Sequence, residues 1–190
     1  KAALKDPRVW ILSSITFSFT LGSYGIGIWL PQMLKAHGVE VSMIGWVAAI
    51  PYFFATVALL IWAKHVDRTG KGIFNLTLAM LLAGFALILA LQMDALIPAL
   101  AGITLALIGT IAGKTIFYTL PGKFLRGQAA AGGIALINSI GAFGGFVGPY
   151  LMGFLKDYTG SFTAGLMVMG CIMFVAAAMV TSLRLFLREG

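Results

Sequence analysis

The chain repeats itself upside down. Leu30-Pro31, Asp67 and Thr69-Gly70 recur ninety residues later as Leu120-Pro121, Asp157 and Thr159-Gly160. Each match is short, but all share one offset and all fall at the ends of apolar segments. About three membrane-length segments fit inside that offset. An odd number of crossings inverts the second copy in the bilayer. Inverted repeats of three helices build many secondary transporters. The repeat therefore constrains both the number of elements and their arrangement.

Composition agrees that the solvent is mostly lipid. The chain is 60% hydrophobic and 10% charged, whereas a soluble domain is about one quarter charged. Its 24 glycines suit helices packed closely in a membrane. Six segments are long enough to cross: about 9–34, 43–63, 72–92, 95–119, 127–154 and 163–187. Helix is expected throughout, because an open sheet in lipid leaves backbone groups unpaired. The fold class is thus an all-α membrane protein of six transmembrane helices in two inverted three-helix repeats. Short connections argue for a single bundle over residues 1–190. The most charged connection is the loop from Lys64 to Lys71.

Charge sets the orientation. Lys1, Lys5, Arg8, Lys64, Arg68, Lys71, Lys123, Arg126, Arg184 and Arg188 lie on the side of the N-terminus, and only Lys35 and Lys156 on the other. The positive-inside rule then makes both ends of the chain cytoplasmic. The net charge of +7 reads as positive helix flanks, not as a nucleic-acid surface. Trp10, Trp29, Trp46, Trp62 and Tyr158 fall near span ends, where amphipathic rings anchor at the headgroup layer. The first apolar run follows basic residues but is too long for a signal peptide and lacks a small-x-small cleavage site. The chain begins with Lys, so an upstream part is expected.

The ionisable residues exclude as much as they suggest. Asp6, Glu40, Asp67, Asp94, Asp157 and Glu189 are the only carboxylates, and all fall in loops or at span ends. An intramembrane carboxylate is the usual proton carrier of coupled transport. If the whole protein is proton-driven, that acid is expected outside this stretch. Lys114 is the one base inside a span. It lies seven residues before Pro121, roughly 10 Å along the helix from the cytoplasmic end. It either binds an anion in a central cavity or snorkels along its four-carbon stem to the interface.

Other polar positions are candidates for solute contact, each with a structural alternative. Gly22-Ser23-Tyr24-Gly25-Ile26-Gly27 is glycine-dense enough to bend or break the first span. Its glycines also suit close packing, and Tyr24 can offer its hydroxyl to a ligand or to a neighbouring helix. Asn138-Ser139 in the fifth span must find hydrogen-bond partners, from another helix or from a solute. In the same span, Gly141, Gly144, Gly145 and Gly148 form small-x3-small faces, and Gly148-Pro149 should bend the helix. Pro51-Tyr52 suggests a kink with a polar tip beside it. Tyr118 shares the face of Lys114, as residues i and i+4 do, and Gln32 follows Pro31 near the outer end. No enzyme motif and no phosphate-binding loop is present. One Cys and two His make neither a disulfide framework nor a metal site, and no cofactor is implied.

Several stretches resemble one known family: Tyr24-Gly25-Ile26-Gly27-Ile28-Trp29-Leu30-Pro31-Gln32, Ala49-Ile50-Pro51-Tyr52, Asp67-Arg68-Thr69-Gly70, Gly133-Ile134-Ala135-Leu136-Ile137-Asn138-Ser139-Ile140-Gly141 and Gly144-Gly145-Phe146-Val147-Gly148-Pro149. Together they resemble the C-terminal half of a major facilitator superfamily transporter. Within it they are similar to the anion:cation symporters, among them tartrate, phthalate, hydroxyphenylacetate and galactonate permeases. The resemblance implies twelve helices in two halves, a cavity between them and alternating access. It implies that Tyr24 and Asn138 face that cavity and that the titrating acids and key arginines lie in the N-terminal half. It likens Asp67-Arg68-x-Gly70 to a cytoplasmic gating motif, which can equally be a solvated turn with a helix-end ion pair. Lys114 stands where relatives usually have an apolar or small residue, and Ala142 where the family often has asparagine.

The expected function is proton-coupled symport of a small organic anion across the inner (plasma) membrane, with sodium as an alternative coupling ion. Tyr24, Asn138, Lys114, Tyr118, Ser139 and Tyr52 are the substrate-binding candidates, and Asp67, Arg68 and Gly70 the gate. The expected partners are the N-terminal half and lipid. The rival readings are a neutral or cationic solute on the same fold, a standalone six-helix scaffold and, more remotely, a membrane enzyme.

Overall fold

The structure is a computed structural model and describes residues 6–90, 95–123 and 127–183. Lys1, Lys5, Asp94, Arg126, Arg184, Arg188 and Glu189 lie outside the described residues. Six helices follow one another: α1 (Pro7–Ala36), α2 (Ile44–Thr69), α3 (Gly72–Ala90), α4 (Leu96–Phe117), α5 (Gly127–Thr159) and α6 (Thr163–Ser182). Short 3₁₀ turns at Val41–Met43 and Pro121–Lys123 precede α2 and α5. All six are long and apolar enough to cross a membrane.

α1 begins at a side-chain cap. The Asp6 carboxylate accepts the Arg8 backbone N–H at 2.9 Å and the guanidinium Nη2 at 2.8 Å, and Pro7 opens the helix, as suits a first turn with no use for that N–H. The Arg8 hydrogen bond holds the Asp6 carboxyl below its ordinary value, against a smaller opposing effect of burial. Further along, the buried hydroxyls of Ser13, Thr16, Ser18 and Thr20 donate to the carbonyls of Val9, Leu12, Ser14 and Thr16. Their polar atoms are thus satisfied within the helix, which removes the cost of burying them.

The inverted repeat is visible in the packing. α1 lies along α5, α2 along α4, and α3 packs on both α4 and α6. Exchanging the first three helices with the last three turns α1–α5 into α4–α2 and α3–α4 into α6–α1. The α3–α6 and α1–α4 contacts map onto themselves. The matched sequence signals also take matched shapes. Gly70 and Gly160 both adopt the left-handed conformation, at φ 66° and 76°. Their N–H groups bond the carbonyls of Val66 at 2.9 Å and Lys156 at 2.8 Å, so the same Thr-Gly pair stops α2 and α5. The other match diverges: Pro31 lies inside α1, whereas Pro121 opens a 3₁₀ turn after α4.

Two expectations are corrected. The first span is not interrupted, because α1 runs unbroken from Pro7 through Gly22-Ser23-Tyr24-Gly25-Ile26-Gly27 to Ala36. Its glycines serve packing: a Cβ on Gly22 would stand 2.6 Å from the Met173 methyl, and one on Gly25 would collide with Met169. The charged loop is also mostly helix. Lys64 to Thr69 are the last turns of α2, and only Gly70 and Lys71 separate it from α3. An αL glycine lets the chain reverse at once, so no longer loop is needed.

The glycines of α5 bring two backbones together. Cβ atoms on Gly144 and Gly148 would collide with the carbonyl oxygens of Phe17 and Leu21 in α1. Such close approach is how membrane helices gain dispersion energy that lipid cannot supply. Phe19 and Phe117, both fully buried, meet edge to face at 5.7 Å in the core. α2 and α5 bury the least of their apolar surface within the chain. On the open face of α5, Phe143, Phe146, Tyr150, Phe154 and Tyr158 stack in a ladder with neighbouring centroids 6.0–6.5 Å apart.

Candidate functional site

Four helices bring polar groups to one track. Tyr24 of α1 is about half exposed, and its ring flanks Gly145 of α5, where a Cβ would lie 3.5 Å from Tyr24 Cγ. Gly145 and Asn138 are seven residues apart, so they share a face of α5 about 10 Å apart along its axis. Asn138 is exposed, and its Oδ1 accepts the Tyr118 hydroxyl from the end of α4 at 3.0 Å. On the other flank, the Tyr52 hydroxyl of α2 lies 2.7 Å from where a Cβ on Gly27 would be. Gly27 is one turn beyond Tyr24, so glycine there admits the phenol. The track thus runs Tyr52, Tyr24, Asn138, Tyr118.

The remaining candidates stand differently. Lys114 lies in the last turn of α4, which ends at Phe117, so it is only one turn from the helix end. The 10 Å depth expected from sequence is corrected accordingly: Tyr118 caps the helix and the chain leaves it earlier. An ammonium there also complements the negative end of the helix dipole. Lys114 is half-buried and makes no ion pair among the described residues. Ser139 is exposed but stands about 100° round the helix from Asn138. Asp67 and Arg68 are exposed in the last turn of α2, about 22 Å along that helix from Tyr52. Among the described residues they form no ion pair, so the helix-end pair weighed from sequence is not found. Gly70, at φ 66°, ends the helix behind them.

The track carries phenols, an amide and an ammonium close by, and no carboxylate. Asp6, Glu40, Asp67 and Asp157 all sit at or beyond helix ends, and no group of His, Cys, Asp or Glu among the described residues can hold a metal. Such a surface can hydrogen-bond an acceptor-rich solute but has no nucleophile with a base beside it. The family model of the major facilitator superfamily matches residues 12–189. The chain belongs to the major facilitator superfamily. Two proteins of Agrobacterium vitis named putative tartrate transporter are each 41% identical to it over 93% of this chain. That match covers 39% of one relative and 41% of the other. A quinolone resistance transporter of Acinetobacter baumannii is 38% identical over 90% of this chain and 40% of its own length. The chain therefore spans about two fifths of the length of these relatives. The family and the relatives' names are those of transporters, not enzymes, and the six helices make this a multi-pass membrane protein.

Within this superfamily fold, two tryptophans do more than anchor. Trp62 donates its indole N–H to the Oδ1 of buried Asn75 at 3.0 Å, tying α2 to α3. Trp29 donates to the Pro149 carbonyl at 2.9 Å. The Lys156 ammonium lies 5.4 Å from the Trp29 ring and 5.6 Å from that of Phe162. The sequence reading passed over Asn75, although an amide inside an apolar run was the available signal. Near Lys156, a cavity of about 610 Å³ lined by Met33, His37, Lys156, Phe162 and Thr163 opens between helix ends. No residue of the polar track lines it.

Proposed function

We propose that the chain is one six-helix half of a secondary transporter for small organic anions, such as a tartrate-like dicarboxylate, a sugar acid or an aromatic acid. The observation that carries this is the track from Tyr52 to Tyr118. It offers hydrogen bonds across four helices, with Lys114, which has no ion-pair partner among the described residues, one turn from Tyr118 and no described carboxylate to repel an anion. The tartrate-transporter names of the similar proteins support the same class. The anion sits against the track, facing a second half of the protein, and the two halves rock to alternate access. A proton is the coupling ion, and its acid lies outside this chain. The basic residues at the α2 and α4 ends support a cytoplasmic location for that side, and on this reading the protein sits in the inner membrane. Coupling arises if the change of access is cheap only when proton and anion are both bound or both absent.

The test is uptake by the intact protein in proteoliposomes under an inward proton gradient. The panel holds labelled dicarboxylates, sugar acids, aromatic acids and neutral sugars. Gradient-dependent uptake of one acid class is expected. Uptake of none of the acids refutes the organic-anion reading. The similarity to a quinolone resistance transporter favours a second reading, export of a larger organic solute. A quinolone belongs in the same panel.

A further inference from the structure

The Tyr118–Asn138 hydrogen bond decides which end of an amide the solute meets. The Tyr118 hydroxyl donates to Asn138 Oδ1 at 3.0 Å, and no described residue bonds Nδ2. Asn138 is exposed on its side of α5, so the two Nδ2 hydrogens are what the amide offers beyond the protein. Without the phenol the amide is free to turn over and present its oxygen instead, because the two ends differ little in shape. Tyr118 is itself held. Its ring meets Phe117 edge to face at 5.5 Å, and Phe117 is locked against Phe19 in the buried core. The hydroxyl is thus carried by a ring that rests on the buried core. With Lys114 one turn before Tyr118 on the same helix face, the groups beside the solute are donors.

We infer that Tyr118 is a positioning residue: its hydroxyl fixes the Asn138 amide so that the site presents N–H donors and selects a carboxylate over an uncharged amide or alcohol of the same shape. This rests on the organic-anion reading. It adds that selectivity is set by a side chain acting through another, because an acceptor facing a carboxylate would repel it and a donor would not.

The experiment is a double-mutant cycle on the intact protein in proteoliposomes, with labelled tartrate as the transported probe and unlabelled tartramide as the uncharged competitor. Tyr118→Phe keeps the ring and removes only the hydroxyl. It is expected to raise the tartrate concentration for half-maximal uptake about 5–10-fold with the maximal rate unchanged, and to narrow the preference for tartrate over tartramide. In an Asn138→Ala background the same change is expected to have no further effect, since the group it acts through is gone. A Tyr118→Phe loss that persists undiminished in that background overturns the inference. So does a loss with the preference for tartrate intact. Should Tyr118→Phe fail to fold, Asn138→Asp reads the same point, because it keeps the acceptor for the phenol and removes the donors. It is expected to weaken tartrate uptake by more than about 10-fold, and unchanged uptake overturns the inference. If the unaltered protein takes up none of the acids, the anion reading fails and this inference falls with it. Tartrate uptake with additive losses removes the inference alone.

Discussion

Replacing Gly144 by alanine separates packing from helix propensity. A Cβ there would meet the carbonyl oxygen of Phe17, lie 3.1 Å from the Phe17 carbonyl carbon and lie 3.2 Å from the Leu21 nitrogen. All three are main-chain atoms, so no rotamer change clears them and α1 must move away from α5. A gap of about 0.5–1 Å forfeits a quarter to a half of the dispersion attraction at each atom pair it opens. Membrane helices depend on that attraction, because lipid tails offer apolar side chains an equivalent environment. Forced insertions of this kind cost about 1–3 kcal/mol, while alanine recovers about 1 kcal/mol of helix propensity. The expected net effect is a loss of up to about 2 kcal/mol. Gly132 supplies the control: it lies in the same helix, and a Cβ there finds nothing within 4 Å. Gly132→Ala should therefore gain up to about 1 kcal/mol, and the two variants should differ by the insertion cost, about 1–3 kcal/mol. The assay is unfolding of the intact protein in mixed micelles with increasing dodecyl sulfate, followed by loss of helicity. The Gly144→Ala midpoint should fall below the Gly132→Ala midpoint. A Gly144→Ala protein stabilised as much as the Gly132→Ala protein would refute the reasoning that two backbones touch at this point.

Three further outcomes are expected. Trp62→Phe leaves the buried Asn75 Oδ1 without its donor and should lower stability by about 1–2 kcal/mol; an unmoved midpoint in the same titration counts against the α2–α3 tie. Asp6→Asn removes the charge that Arg8 holds. The folded carboxyl titrates below its unfolded value of 3.8, so its contribution is full above that value and is lost as pH falls through the lowered one. For a partly exposed pair at a helix end the loss is at most about 1 kcal/mol. The thermal midpoints of the two proteins should differ at pH 7 and converge near the acid limit, whereas a gap that widens in acid has the wrong sign. Lys114→Ala should weaken anion uptake; unchanged apparent affinity and rate assign Lys114 to the helix end alone.

Element number, type and order were legible from hydropathy, because a bilayer imposes one length and one kind of backbone on anything that crosses it. The repeat was legible because Thr-Gly is a local stop signal that works wherever it stands. What escaped was whatever depends on a second helix. Gly22 and Gly25 read as a possible break because glycine weakens an isolated helix. Met173 and Met169 then fill the space that those glycines leave. Lys64 to Thr69 read as loop because they are polar, yet nothing stops a helix from running past the apolar layer until Gly70 turns it. Of the candidate track, Tyr24, Tyr52, Asn138 and Tyr118 were each visible as polar residues in apolar runs. Their order across the helices, and the bond between the last two, required the packing. Asn75 was missed although it met the same criterion as Asn138.

The shared Thr-Gly stop leaves the backbone no record of which way up it sits. The same cap closes α2 at one membrane face and α5 at the other. What differs is the chemistry around it. Lys64, Arg68 and Lys71 of the first copy correspond to Phe154, Tyr158 and Ser161 of the second, and two of those replacements are rungs of the stacked ladder on α5. On the positive-inside reading, sidedness is written in a few side chains around the shared cap. Exchanging those three basic residues with their counterparts would ask the two repeats to trade faces while leaving every helix intact.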